Sequence, residues 1–162
     1  MHEPRLNRAL RELLKRQRIA SLGTINAAGQ PFVSMVPFAI EPSVAVLVIH
    51  VSLLAPHTHH LLSNPAVSVM VMQPEVVDEP VHALPRVSME CTAGRLPPGS
   101  PSWLAARQAY LARFPEAEPM THLADFSFFA LQPTAARQVA GFGSARPLEA
   151  EDLAEVLRGT AA

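Results

Sequence analysis

Between Ser52 and Met72 the chain reads SLLAPHTHHLLSNPAVSVMVM, a short polar segment set between two strongly apolar runs. Val44 to Ile49 before it and Ala66 to Met72 after it are β-prone, while Pro56 and Thr58 suit a helix entry and Asn64-Pro65 a helix stop. The arrangement predicts strand, short helix, strand. A helix start exposes unpaired backbone N–H groups and a partial positive charge, and His57, Thr58, His59 and His60 crowd that end with further donors. The junction is therefore expected to hold an anionic group such as a phosphate.

The rest of the chain places this junction in a β-rich fold. Leu6, Ala9, Leu10, Leu13 and Leu14 recur at helical spacing, so residues 1–17 are expected to form an amphipathic helix with a solvated basic face. From Ile19 the period changes. Residues 18–25 and 31–38 are β-prone around Asn26-Ala27-Ala28-Gly29-Gln30 and read as a hairpin. Val44 to Val51 follows the Glu41-Pro42-Ser43 turn as a third strand, Ala66 to Gln73 is a fourth, and the alternating stretch Arg86 to Leu96 is a fifth. Ser100-Pro101 opens a helix that runs to Phe114-Pro115. Asp125 to Leu131 and Ala135 to Phe142 read as a sixth and a seventh strand, and residues 147–158 as a closing amphipathic helix. Strands interrupted by helices, rather than alternating with them, predict a mainly β fold: a six- to seven-stranded antiparallel barrel with helices packed outside, formed by residues 1–162 as a single domain.

Composition narrows the partners. Hydrophobic residues make up 49% and charged residues 17%, which predicts apolar surface covered by a second copy of the chain, a homodimer. A formal net charge of −1 with dispersed basic residues argues against nucleic acid. The single cysteine, Cys91, leaves no internal disulfide and reads as a small buried hydrophobe. No apolar run approaches the roughly 20 residues of a membrane span, and the first residues lack a signal-like apolar core, so the expected address is cytoplasmic. Nucleotide-binding glycine loops are absent, because no G-x-G-x-x-G or G-x-x-x-x-G-K-[ST] string occurs.

Several strings occur in a telling order: Ala20-Ser21-Leu22-Gly23-Thr24 with Gly29-Gln30-Pro31, Ser34-Met35-Val36-Pro37-Phe38, His57-Thr58 with Asn64-Pro65, and Leu84-Pro85-Arg86-Val87. Tyr110 to Pro115, Asp125-Phe126 and Gly141 to Ala145 follow. In that order the chain resembles the pyridoxamine 5'-phosphate oxidase-like FMN-binding split barrels, most closely their haem-utilisation (HugZ-like) branch, over nearly its whole length. The resemblance implies a homodimer of split barrels with FMN at the seam. It implies Ser34, Met35, Val36 and Pro37 along the ring and ribityl chain, Ser52, His57 and Thr58 at the phosphate, and Arg86 reaching the flavin from the fifth strand. It also implies a flavin-dependent oxidoreductase acting on a small substrate. The departures fall on the phosphate grip. The oxidases carry an Arg and a Lys where this chain has Ser34 and Ala39, and Ser-Arg-Lys where it has Ala55-Pro56-His57. A charge-assisted hydrogen bond contributes roughly 1.5–3 kcal/mol, so these losses weaken FMN. Pyridoxamine phosphate oxidation is not expected, because a second phosphate site for the substrate would need further clustered arginines.

A flavin carries its own redox chemistry, so no catalytic acid or base has to show in the sequence. The alternative from a different class is a haem-binding or haem-utilisation protein with optional flavin, as in members of the resembled branch, with His82, His122 or the His59-His60 pair as ligands. A cofactor-free interaction domain is the third reading. A metal site shared by His57, His59 and His60 is not expected, because position i+2 of a helix points away from i and i+3. On the residues alone, Trp103 and Tyr110 pack their helix on the barrel, Met35, Met70, Met72 and Met89 are strand core, and Gly141-Phe142-Gly143 eases a tight turn.

Overall fold

The computed structural model describes residues 4–161. The chain opens with helix α1 (Arg5–Arg16), then β1 (Ile19–Ile25), β2 (Pro31–Pro37), β3 (Ala39–Glu41) and β4 (Val46–Ser52). Helix α2 (Pro56–Ser63), β5 (Ala66–Met72), β6 (Arg86–Arg95) and α3 (Pro101–Arg113) follow, and β7 (Phe126–Val139), β8 (Ala145–Glu149) and α4 (Ala150–Arg158) complete it. A 3-10 segment, Pro115–His122, links α3 to β7. The strands form one antiparallel sheet in the order β2-β1-β5-β6-β7-β4-β3, with β8 added to β7. The mainly β barrel with outer helices expected from the sequence is the fold observed.

Strand alternation divides the sheet into two faces. Leu22, Val36, Val69, Val87, Met89 and Phe129 point inward, where they meet Leu10 and Leu14 of α1 and Leu153, Val156 and Leu157 of α4. A second core lies outside the barrel, where Val46, Val48 and Phe128 pack under Ala106 and Tyr110 of α3 together with Phe114 and Ala117. Strand β4 is buried on both faces, which explains why its sequence is an unbroken apolar run rather than an alternating one. Helix α3 starts as expected: the Ser100 side chain accepts a hydrogen bond from the Trp103 N–H, and Pro101 occupies the first turn. Trp103 and Tyr110 do pack on the barrel, each edge-on to Phe128 at 5.6 and 5.7 Å between ring centroids.

Four expectations need correction. The third strand begins at Val46, not Val44, because Ala45 takes a positive φ of 56° in the preceding turn, and the short strand β3 occupies Ala39–Glu41 ahead of it. The sixth and seventh strands are one 14-residue strand, β7. Pro133 reads as a break, yet it pairs with Cys91 where the register with β6 shifts between Glu90 and Cys91, and a bulge tolerates a residue without N–H. Pro147 belongs to the edge strand β8, so the closing helix starts at Ala150. Of the methionines, Met89 is fully buried, but Met35 and Met72 lie on the outer face, 59% and 38% exposed. The Gly141 to Gly143 segment forms the tight turn expected, with both glycines at positive φ and Phe142 exposed.

Candidate functional site

Helix α2 sits against the hairpin of β1 and β2 through two hydroxyl–imidazole bonds one turn apart. Ser34 Oγ of β2 lies 3.0 Å from Nδ1 of His57, and Thr24 Oγ1 of β1 lies 2.8 Å from Nδ1 of His60. Positions i and i+3 share a helix face, so His57 and His60 both reach the hairpin while His59 points to solvent. The His60 ring also stands edge-on to Phe32, 5.3 Å between centroids. Burial lowers the His57 pKa from its ordinary value, and the neighbouring His60 lowers it further, so His57 is predominantly neutral at pH 7.

The start of α2 is held by a network of hydroxyl bonds within the protein. Thr58 is fully buried, and its hydroxyl donates to the Ser52 carbonyl at 2.6 Å. The Ser52 hydroxyl donates to Asp125 Oδ2 and accepts from the Leu54 N–H, both at 3.1 Å. Pro56 opens the helix without an N–H to offer. Of the residues implied for the phosphate end, His57 is half-buried, whereas Ser52 and Thr58 are engaged with the protein itself.

The remaining candidates are spread along β2 and β6. Val36 is buried in the barrel, Pro37 is half-buried and Met35 faces outward. Arg86 opens β6, three strands from β2, which is about 14 Å at the usual spacing. Its guanidinium donates to the carbonyls of Leu84 (2.9 Å) and His82 (3.3 Å), and it lines a 520 Å³ recess with Met72, Glu75, Val81, His82 and Leu84. The fold thus joins Ser34 to His57 and Ser52 to Thr58, and holds Arg86 apart from both pairs within one chain.

Beside the Thr24–His60 pair runs a mostly apolar groove of about 540 Å³. Its walls include Thr24, Ile25, Phe32, Ala66, Ser68 and Glu90. The sequence reading passed over Thr24, Phe32 and this groove; the available signal was the three-residue spacing of His57 and His60. A polar network of Asn7, Gln138 and Arg146 was also missed. In it Arg146 donates to Gln138 Oε1 (2.9 Å) and Asn7 Oδ1 (2.6 Å), tying α1 to the far end of β7.

The observed architecture is an antiparallel split barrel with a short helix packed against its first hairpin. Residues 6–140 match the family model described as pyridoxamine 5'-phosphate oxidase, and the chain belongs to this family. It is 30% identical over 153 residues to the haem oxygenase HutZ of Vibrio cholerae, covering 93% of this chain and 85% of that protein. The crystal structure of HutZ, there described as a haem storage protein, superposes with a TM-score of 0.74 at 28% identity, over 80% of this chain and 91% of that one. A haem-binding protein from Mycobacterium smegmatis superposes with a TM-score of 0.83 at 26% identity over 96% of this chain, which spans 62% of that protein's length. Among the described residues no helix is long and apolar enough to cross a membrane.

Proposed function

We propose that the protein binds haem and serves haem utilisation, as a homodimer whose paired barrels form the pocket. The observation that carries this reading is the chemistry of the α2 start. The groups that would meet a flavin phosphate there are a serine hydroxyl and a predominantly neutral imidazole, and Arg86 stands three strands away. A dianionic phosphate fits this set poorly. An apolar macrocycle fits the neighbouring groove, and imidazole is a common haem ligand. The relatives named as haem proteins support the same direction. Bound haem would supply the iron-centred chemistry, and the chain would supply the ligand, the apolar walls and the exclusion of water.

FMN is the second reading, favoured by the Ser34–His57 pair at the helix start and by the family. In it Ser34, Met35, Val36, Pro37, Ser52, His57, Thr58 and Arg86 hold the flavin, and the protein is an oxidoreductase of a small substrate. Native mass spectrometry of the full chain after incubation with each cofactor separates the two. Retention of haem near one per subunit, with FMN lost at micromolar concentration, supports the haem reading; tight retention of FMN alone overturns it.

A further inference from the structure

We propose that the cavity beneath the start of α3 binds a primary amine carried on an apolar body, with the Glu41 carboxylate as the counter-ion of its ammonium group. Glu41 ends the short strand β3 opposite Val46, and strand alternation turns it to the same side as Ala39, into the second core under α3. There it is 9% exposed and lines a mostly apolar cavity of about 390 Å³, with Val46, Ala105, Ala106 and Ala130 among the walls. Three alanines meet at this end of the core, whereas Phe128, Tyr110 and Phe114 fill the rest of it, and the difference in side-chain size leaves the space. The volume falls within the roughly 300–1,000 Å³ range of pockets that bury a small ligand. The cavity shares no lining residue with the groove beside α2, so this site is independent of the haem reading.

The Glu41 carboxylate is hydrogen-bonded but not neutralised. Its Oε1 accepts from the Ser43 N–H at 3.1 Å and its Oε2 from the Val44 N–H at 3.3 Å. The Ser43 hydroxyl lies 2.8 Å from both oxygens and has one proton to give. A carboxylate offers about four acceptor sites, so these three donors leave one open. All three are uncharged. No lysine, arginine or histidine lines the cavity, and among the described residues Glu41 forms no ion pair. The start of α3 sends its Trp103 N–H to the Ser100 hydroxyl and its Leu104 N–H to the Ser100 carbonyl, and gives neither to Glu41. A carboxylate withdrawn from water without a cation is costly, and an ammonium donating to it forms a charge-assisted bond of the stronger kind. One carboxylate without further ligands does not make a metal site, whereas the apolar walls favour a hydrophobic body behind the charge.

The test is isothermal titration of the full chain at pH 7.5 with 2-phenylethylamine, a primary amine that is protonated at that pH, and with its neutral isostere 2-phenylethanol. Trp103, the only tryptophan of the chain, stands in the first turn of α3 and reports the same event by fluorescence. The amine is expected to bind at least tenfold more tightly than the alcohol. Glu41→Gln keeps an acceptor for the turn but removes the charge, and is expected to lower the amine to the level of the alcohol. Ala105→Leu fills the cavity from α3 without altering the carboxylate, and is expected to abolish binding of both with circular dichroism unchanged. It carries the test if Glu41→Gln fails to fold. Equal affinity for amine and alcohol, wild-type amine affinity in either variant, or no heat and no Trp103 response to the amine at millimolar concentration would overturn the assignment and leave Glu41 as a residue that only holds its turn.

Discussion

His50 sits in β4 with its ring 4.3 Å from that of Phe128, 5.0 Å from Phe126 and 5.8 Å from Tyr110, and its buried Nδ1 has no hydrogen-bond partner among the described residues. Burial disfavours the charged ring and lowers its pKa from 6.5 to about 4. The unfolded chain therefore takes up this proton first, so stability is fully present above pH 6.5 and falls as the pH drops toward 4. The contribution amounts to about 2 kcal/mol by pH 5. Urea unfolding of wild type and His50→Leu at pH 8 and pH 5 checks this: the variant is expected to lose markedly less stability between the two. Cys91 follows the same physics with the opposite sign. Burial pushes its thiol up to about 12, and it is 4% exposed. It is expected to resist a thiol reagent such as DTNB at pH 8 in the native state and to react fully once the chain is unfolded. The buried, inert character of Cys91 was legible from its place in an alternating strand, whereas the burial of His50 was not, because nothing local announces that α3 folds over β4.

At the scale of elements, Arg113 near the end of α3 joins three parts of the molecule. Its guanidinium donates to the carbonyls of Leu14 (2.9 Å), Lys15 (3.0 Å) and Phe38 (3.2 Å) and to that of Gln17, and it lies 4.7 Å from the centroid of the Phe38 ring. These carbonyls include those of Leu14 and Lys15 in the last turn of α1, so one side chain closes a helix terminus and fixes it to α3 and the barrel. Arg113→Ala is expected to cost about 2–3 kcal/mol in denaturant unfolding, and Arg113→Lys to recover only part, since an ammonium cannot reach several carbonyls as a planar fork does. Elements governed by local rules were readable from the sequence: the leucine spacing of α1, the Ser100-Pro101 start of α3, and the hairpin of β1 and β2. Elements decided by tertiary pairing were not. Pro133 looks like a strand break until β6 shifts register beside it, and Pro147 looks like a helix start until β8 is seen on the edge of β7. The same limit applies to the candidate site: helix entry at Pro56 showed in the sequence, but which hydroxyls meet the two imidazoles depends on the hairpin register that sets Thr24 opposite Phe32.

For the whole molecule, the outward face of the sheet is the feature that a single chain leaves unexplained. Register sets Ser21 between Met35 and Met70, and Gly23 between Val33 and Ser68, so β2, β1 and β5 present a surface of small and apolar groups. Ile19 is 54%, Val33 70% and Met35 59% exposed there. Such a patch is unusual on a monomer and suits a second copy, which would also cap the groove beside His60 and carry the partner's outward face toward the residues of β2. Light scattering behind size-exclusion chromatography is expected to give twice the 17.5 kDa chain mass for the wild type. The double change Ile19→Lys with Met35→Lys places two charges on the apolar end of this face, away from the inward core, and is expected to give a folded species of single chain mass. Its circular dichroism should match the wild type while its haem affinity falls, because half of the pocket wall has been removed. A dimer that survives both lysines would mean that the copies pair through another surface, and a monomeric wild type would mean that the exposed face serves a different purpose.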